Sequence, residues 1–270
     1  MGIMSVIRRI YNLTNRGSKF LSRALSISGI IAALGVGMIY YFLGGLFYFV
    51  VLITFFITSS ALTRVGANEK EKTEKQLYEK TGTRDYEQVL ANGGPAALAV
   101  ILHWLYPSEI LTVAFCAAMA ACNADTWASE IGILSRRKPF SLLSRKEVQK
   151  GMSGGVTGLG LGASLAGSAV ISLVYAVGRY DPSDAGTRAV YVLVILVSGF
   201  LGSVIDSILG DTLQVKYLSA ETGRLTEKRK SGGRINMRIK GLAHMNNDAV
   251  NFLSSAFSAL LALLLAAFLT

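Results

Sequence analysis

An all-α polytopic membrane protein of about seven transmembrane helices is the architecture that three features of this 270-residue chain call for. The chain is 51% hydrophobic and only 16% charged, against roughly 25% charged residues in ordinary soluble domains. Its ionisable residues fall in a few short blocks between long apolar stretches. The charge also leans one way, Lys+Arg 27 against Asp+Glu 17, for a formal +10. That excess does not imply a nucleic-acid partner, because membrane proteins gather Lys and Arg on their cytoplasmic side for insertion reasons alone. Cys116 and Cys122 share one apolar stretch while His103 and His244 are far apart, which excludes a disulfide framework and a zinc site of the usual spacing.

A helix needs about 20 mostly apolar residues to cross a hydrocarbon core of about 30 Å, and the chain divides on that basis. Residues 1–23 form an N-terminal segment in which Ile3, Ile7, Ile10 and Tyr11 fall near one helical face, apart from Arg8, Arg9 and Asn12, as in a helix lying in the membrane interface. Residues 24–63 hold the first two spans, broken near Gly44-Gly45. The cytoplasmic loop 64–88 is polar, and within it 67–88, with acids and bases at helical separations such as Glu71 and Lys75, reads as a solvated helix or hairpin arm. The remaining spans run over 89–105, 109–134, 154–178, 189–213 and 246–269, separated by polar loops at 135–150 and 214–244. There is no internal repeat and no separate soluble domain, so 24–270 reads as one transmembrane domain. The first apolar segment begins late and leads directly into a second, which argues against a cleaved signal peptide. Nothing in the pattern fixes an oligomeric state.

Orientation follows from the basic residues: 5 before residue 24, 6 in 64–88, 6 in 135–150 and 8 in 214–244, leaving Arg179 and Arg188 beside the fifth connection. Seven spans put all four rich segments on one side, so the positive-inside rule predicts a cytoplasmic N-terminus and an external C-terminus.

Acids and amides inside spans are expensive and mark function, and here they are clustered. The third span opens with Asn92-Gly93-Gly94-Pro95; the fourth closes with Asn123 to Glu130 around Asp125; the fifth opens with Gly151 to Thr157. The sixth closes on Asp206 to Gln214, and the seventh opens with Asn246-Asn247-Asp248 and Asn251. All five clusters fall at the predicted cytoplasmic ends, and the opposite ends carry nothing comparable although they need capping equally. One polar cavity opening to the cytoplasm is therefore expected. At about 100° per residue, Gly202, Asp206 and Gly210 share a face, as do Asn247 and Asn251, whereas Asp125 and Glu130 point about 140° apart.

Hard oxygen ligands without neighbouring His or Cys suit Mg²⁺, which takes one or two carboxylates, waters and substrate phosphates. The glycine-rich stretch Lys150-Gly-Met-Ser-Gly-Gly-Val-Thr157 offers backbone N–H groups at a helix N-terminus, where the dipole favours anions. Gly158 and Gly162 read instead as allowing close helix packing. The loop 224–240 adds Arg224, Lys228, Arg229, Lys230, Arg234, Arg238 and Lys240 around Gly232-Gly233; it suits a nucleotide's phosphate chain as well as it suits retention in the cytoplasm near anionic lipids.

The segments EQVLANGG (87–94), NADTWASEIG (123–132), GMSGGVTGLG (151–160), GSVIDSILGDTLQ (202–214) and NNDAVNFLSS (246–255) resemble, in order and spacing, the membrane family that contains plant phytyl-phosphate kinase and vertebrate transmembrane protein 19. A more distant similarity, an Asp-bearing helix end followed by a basic loop and a Lys-x-x-Ser-Gly-Gly helix start, links it to the CTP-dependent dolichol kinases. The resemblance implies transfer of a phosphoryl group from a nucleoside triphosphate, CTP preferred, to an isoprenoid monophosphate such as phytyl or geranylgeranyl phosphate. On that reading Asp125, Asp206 and Asp248 are the catalytic, metal-positioning carboxylates, with Glu130 beside them or at a second metal. Asn92, Asn123, Lys150, Ser153, Gly154, Gly155, Thr157, Ser207, Gln214, Asn247 and Asn251 hold or orient the phosphates. At Asp211 the chain departs from the family, which more often has Ala. From the residues alone, a transporter or scramblase with ion-binding carboxylates, a lipid-alcohol kinase and a cytidylyltransferase stay open.

Overall fold

The computed structural model describes residues 25–66, 77 and 83–270. The interfacial helix expected over 3–13 and most of the polar arm over 67–88 lie outside the described residues. Among the described residues, seven helices are long and apolar enough to cross a membrane, as the apolar stretches predict.

Helix α1 (Ile27–Ile39) starts at Ser26, whose hydroxyl accepts the Gly29 N–H at 3.1 Å. It passes into a π-turn over Tyr40–Gly44 and stops at Gly45, where φ is 93° and ψ −173°, a backbone conformation open essentially to glycine alone. Helix α2 (Leu46–Arg64) follows, so the predicted break lies where the sequence has its glycine pair. Helix α3 (Tyr86–Leu105) opens with a reciprocal cap: Asp85 accepts the Gln88 N–H and the Gln88 side chain accepts the Asp85 N–H.

Helix α4 (Glu109–Gly132) is the axis of the fold: 72% of its apolar window is buried, against at most 39% for any other span. It packs on α2, α3, α5 (Gly158–Gly178), α6 (Ala185–Thr212) and α7 (Asn247–Leu269). Small residues make this geometry available. A Cβ at Gly199 or Gly202 of α6 would stand 2.5 or 2.6 Å from the Cβ of Ala120 or Ala121, and one at Gly167 of α5 would stand 3.0 Å from the Cα of Ala124. The packing glycines of α5 are thus Gly160, Gly167 and, against the Phe47 ring, Gly178; a Cβ at Gly158 or Gly162 would meet nothing within 4 Å, which corrects the packing role expected for those two.

The loops add short strands that the all-helical reading does not contain. β1 (Phe140–Ser141) pairs with β2 (Gly155–Val156), β3 (Lys216–Leu218) pairs with β4 (Leu225–Thr226) and β7 (Met237–Lys240), and β5 (Lys230–Ser231) pairs with β6 (Arg234–Ile235). These loops meet. The Leu77 carbonyl accepts the Glu227 N–H at 2.9 Å and the Thr226 hydroxyl at 3.1 Å, and Lys216 Nζ donates to the Ser153 carbonyl at 2.9 Å. The three long connections therefore lie on one face.

The opposite face differs from its sequence expectation. Glu109 at the start of α4 pairs with Arg179 and, at 2.6 Å, with Arg188, and accepts the Tyr175 hydroxyl at 2.9 Å. Both basic residues of that side share the Glu109 carboxylate, and Arg188 also lies 3.8 Å from Asp184. The cluster ties α4 to the connection between α5 and α6.

Candidate functional site

The five polar clusters surround one cavity of about 340 Å³ at the loop face, at the lower end of the roughly 300–1,000 Å³ usual for ligand sites. Gln88 and Asn92 of α3 line one wall; Asp125, Thr126, Ser129 and Glu130 at the end of α4 line the next. The Lys150–Thr157 turn, Ser203, Asp206 and Ser207 of α6 with Gln214 beyond it, and Asn246, Asn247, Asp248 and Asn251 of α7 complete it. A single helix axis explains the convergence: α4 contacts every helix that contributes except where the loops themselves supply the wall.

Asp206 and Asp248 are buried. Asp206 accepts the Ser254 hydroxyl at 2.9 Å, and Asp125 stands near enough for its charge to act on Asp206. Both line the cavity, two carboxylates in one recess invite a divalent cation, and no His or Cys lines it, so the donor set fits Mg²⁺. The carboxylate group that converges within 4.8 Å is, however, Asp85, Glu87 and Asp248. Asp248, in the first turn of α7, thus lies toward the start of α3, and no such group among the described residues includes Asp125 or Asp206.

Asn123 is placed outside the cavity. It lies about 200° around α4 from Asp125 and is fully buried, its amide donating to the Gly167 carbonyl at 2.8 Å and its oxygen receiving Thr58 and Ser59 at 3.0 and 3.3 Å. Those bonds tie α4 to α5 and α2, away from the cavity lining. Asp211 also lies outside: it accepts Ser141 Oγ at 2.5 Å and Lys240 Nζ at 3.0 Å, which joins the end of α6 to two loops.

In the glycine turn, Gly151 and Gly154 have φ of 85° and 88°. A Cβ at Gly154 would stand 2.4 Å from the Asp211 backbone nitrogen, so the turn is pressed against the end of α6. Its N–H groups are partly spent within the protein, Ser153 N–H on Glu227 at 2.9 Å and Gly155 N–H on Met152 at 3.1 Å. Thr157 caps α5 by accepting the Gly160 N–H at 3.0 Å, and Lys150 Nζ reaches the Ser135 carbonyl at 3.1 Å. The turn contributes side chains and shape to the cavity more than the open N–H cradle the sequence suggests.

Sequence reading missed three charged residues that line the cavity: Arg84, Arg137 and Glu227. Glu227 is buried, accepting Ser153 N–H and Gln214 Nε2, the latter at 2.8 Å, and burial raises its carboxyl above the usual range. The available signal was a lone acid inside a basic run, where retention in the cytoplasm asks only for bases. None of the seven basic residues of 224–240 lines the cavity. Gln214 Oε1 and Asn251 Oδ1 are buried acceptors without a donor among the described residues, on side chains that face the cavity.

The family model of integral membrane protein DUF92 matches residues 15–259. Protein PGR of Arabidopsis thaliana is 34% identical over 86% of this chain and 85% of its own length. An uncharacterized membrane protein of Methanocaldococcus jannaschii is 31% identical over 72% and 77%, and the chloroplastic Protein VTE6 of Arabidopsis thaliana is 23% identical over 94% and 68%. No solved structure matches.

Proposed function

The chain belongs to the DUF92 family of integral membrane proteins, and from that membership and the cavity at its loop face we propose that it is a prenyl-phosphate kinase. The family resemblance read from the five motifs is borne out by these matches. The observation that carries the functional reading is the convergence of five acids, Asp125, Glu130, Asp206, Glu227 and Asp248, with basic and amide side chains in one recess at the end of a membrane bundle. Apolar tail and charged head of a lipid phosphate meet their matching surroundings at that depth.

In this reading the terminal phosphoryl group of a nucleoside triphosphate, CTP preferred, passes to an oxygen of the prenyl monophosphate. The bond between that phosphorus and the nucleotide's bridging oxygen breaks, a new P–O bond forms, and a nucleoside diphosphate leaves. The acceptor has its second pKa at about 6 and is already anionic at neutral pH, so no strong general base is required, and the cavity offers no His. Such transfer rests on positioning and charge neutralisation. Asp125 and Asp206 would hold Mg²⁺, which when bound neutralises phosphate charge. Lys150 and Ser153 would approach phosphate oxygens, and Gln214 Oε1 and Asn251 Oδ1 would accept protons from ligand hydroxyl or amino groups. The basic residues of the loops support a cytoplasmic orientation for this face, the side on which nucleotide and Mg²⁺ are found.

Purified protein supplied with phytyl or geranylgeranyl phosphate and each nucleoside triphosphate tests the proposal. Turnover that requires both substrates and Mg²⁺ is expected; folded protein inert on every pair sinks it.

A further inference from the structure

Of the basic residues that reach the cavity, Arg84 is held most firmly and answered least. Its backbone is pinned to the start of α1: the Ser26 N–H donates to its carbonyl at 3.0 Å, and a Cβ at Gly29 would stand 2.2 Å from that oxygen. Its guanidinium lies 5.8 Å from the centre of the Phe55 ring on α2, a favourable cation–π approach. No hydrogen bond or ion pair to the guanidinium is formed among the described residues. Lys150, by contrast, donates to the Ser135 carbonyl, and Arg137 is exposed. A partly buried guanidinium without a hydrogen-bonded anion is costly. Burial draws the Arg84 pKa down, with Glu130 acting in the opposite sense, yet an arginine keeps its proton. The recess around Arg84 thus calls for an anion.

The position of Arg84 says which anion. It sits between α1, α2 and the start of α3, with Gln88 and Asn92 continuing along the same wall. The glycine turn, Gln214 and Glu227 form a different wall, built from the soluble connections. A phosphate on an apolar chain reaches the cavity from the spanning helices, whereas a soluble nucleotide reaches it from the loops. We propose that Arg84 grips the phosphate of the prenyl monophosphate, its planar fork engaging two phosphate oxygens, while the nucleotide occupies the wall of the glycine turn. The planar donor pair of arginine suits such bidentate contacts in a way that lysine's point charge does not. This assignment rests on the kinase reading.

The test is binding of phytyl phosphate and of phytol to the purified protein without nucleotide, for wild type, Arg84→Gln and Arg84→Lys, followed by steady-state kinetics. Wild type is expected to prefer the phosphate. Arg84→Gln should lose that preference by roughly ten- to a hundredfold, with Arg84→Lys intermediate, and KM for the prenyl phosphate should rise while KM for the nucleotide stays. Undiminished phosphate preference in both variants, or a rise confined to the nucleotide KM, overturns the role of Arg84 alone. Wild type that binds phytyl phosphate no better than phytol overturns the kinase reading with it.

Discussion

Glu227 accepts the backbone N–H of Ser153 at 2.9 Å across 74 residues of chain, so the loop between α6 and α7 fixes the turn that opens α5. Burial raises the Glu227 pKa, and the folded protein therefore holds that proton more strongly than the unfolded chain. Its contribution to stability is fully present below the unfolded value of about 4.3 and is lost as pH rises through the raised folded value. Glu227→Gln keeps an acceptor for Ser153 and carries no charge. Thermal midpoints in detergent should show the variant gaining on wild type as pH rises from acid to neutral; parallel midpoints at every pH contradict this.

The glycines of the fifth span separate by role. Gly154→Ala combines a φ of 88° with a Cβ at 2.4 Å from the Asp211 nitrogen, and should cost about 3 kcal/mol or more, visible as loss of monodisperse protein. Gly158→Ala meets open space and should be neutral or stabilising by up to about 1 kcal/mol. Equal behaviour of the two would contradict the packing described.

Two aspartates near the end of α6 should part company. Asp211→Ala removes bonds to Ser141 and a half-exposed Lys240, and should lower stability by about 1 kcal/mol with turnover retained. Asp206→Asn keeps an oxygen for Ser254, so it should fold normally and lose turnover by roughly 10²–10³-fold. Circular dichroism and turnover on the same samples check both.

What the sequence made legible was whatever local pattern encodes: the seven apolar stretches, the break at Gly44-Gly45, and the helix ends that carry Asp125, Asp206 and Asn247. What it hid depends on partners distant in the chain. Asn123 and Asp125 look alike as neighbours in one motif, and only the placement of α5 behind α4 turns Asn123 into a helix tie. Glu109 reads as a helix-start acid until Arg179 and Arg188 fold over it. Arg84 and Glu227 were invisible because charge counting treats a loop residue as solvated, whereas here the loops fold back as walls of the cavity.

Loop placement gives a topology prediction. With Cys116 and Cys122, both buried, replaced, single cysteines at Ser144 and Ser231 should react with impermeant thiol reagents from the cytoplasmic side, and one at Ser183 from outside. Labelling of Ser144 and Ser231 from opposite faces would contradict the joined loops.

The most direct measurement follows the phosphate itself. With CTP labelled in its terminal phosphate, phytyl phosphate and Mg²⁺, wild-type protein is predicted to place the label in the outer phosphate of phytyl diphosphate, and Asp206→Asn to abolish that transfer. Label that never enters lipid, or a lipid product bearing cytidine, would contradict the kinase assignment.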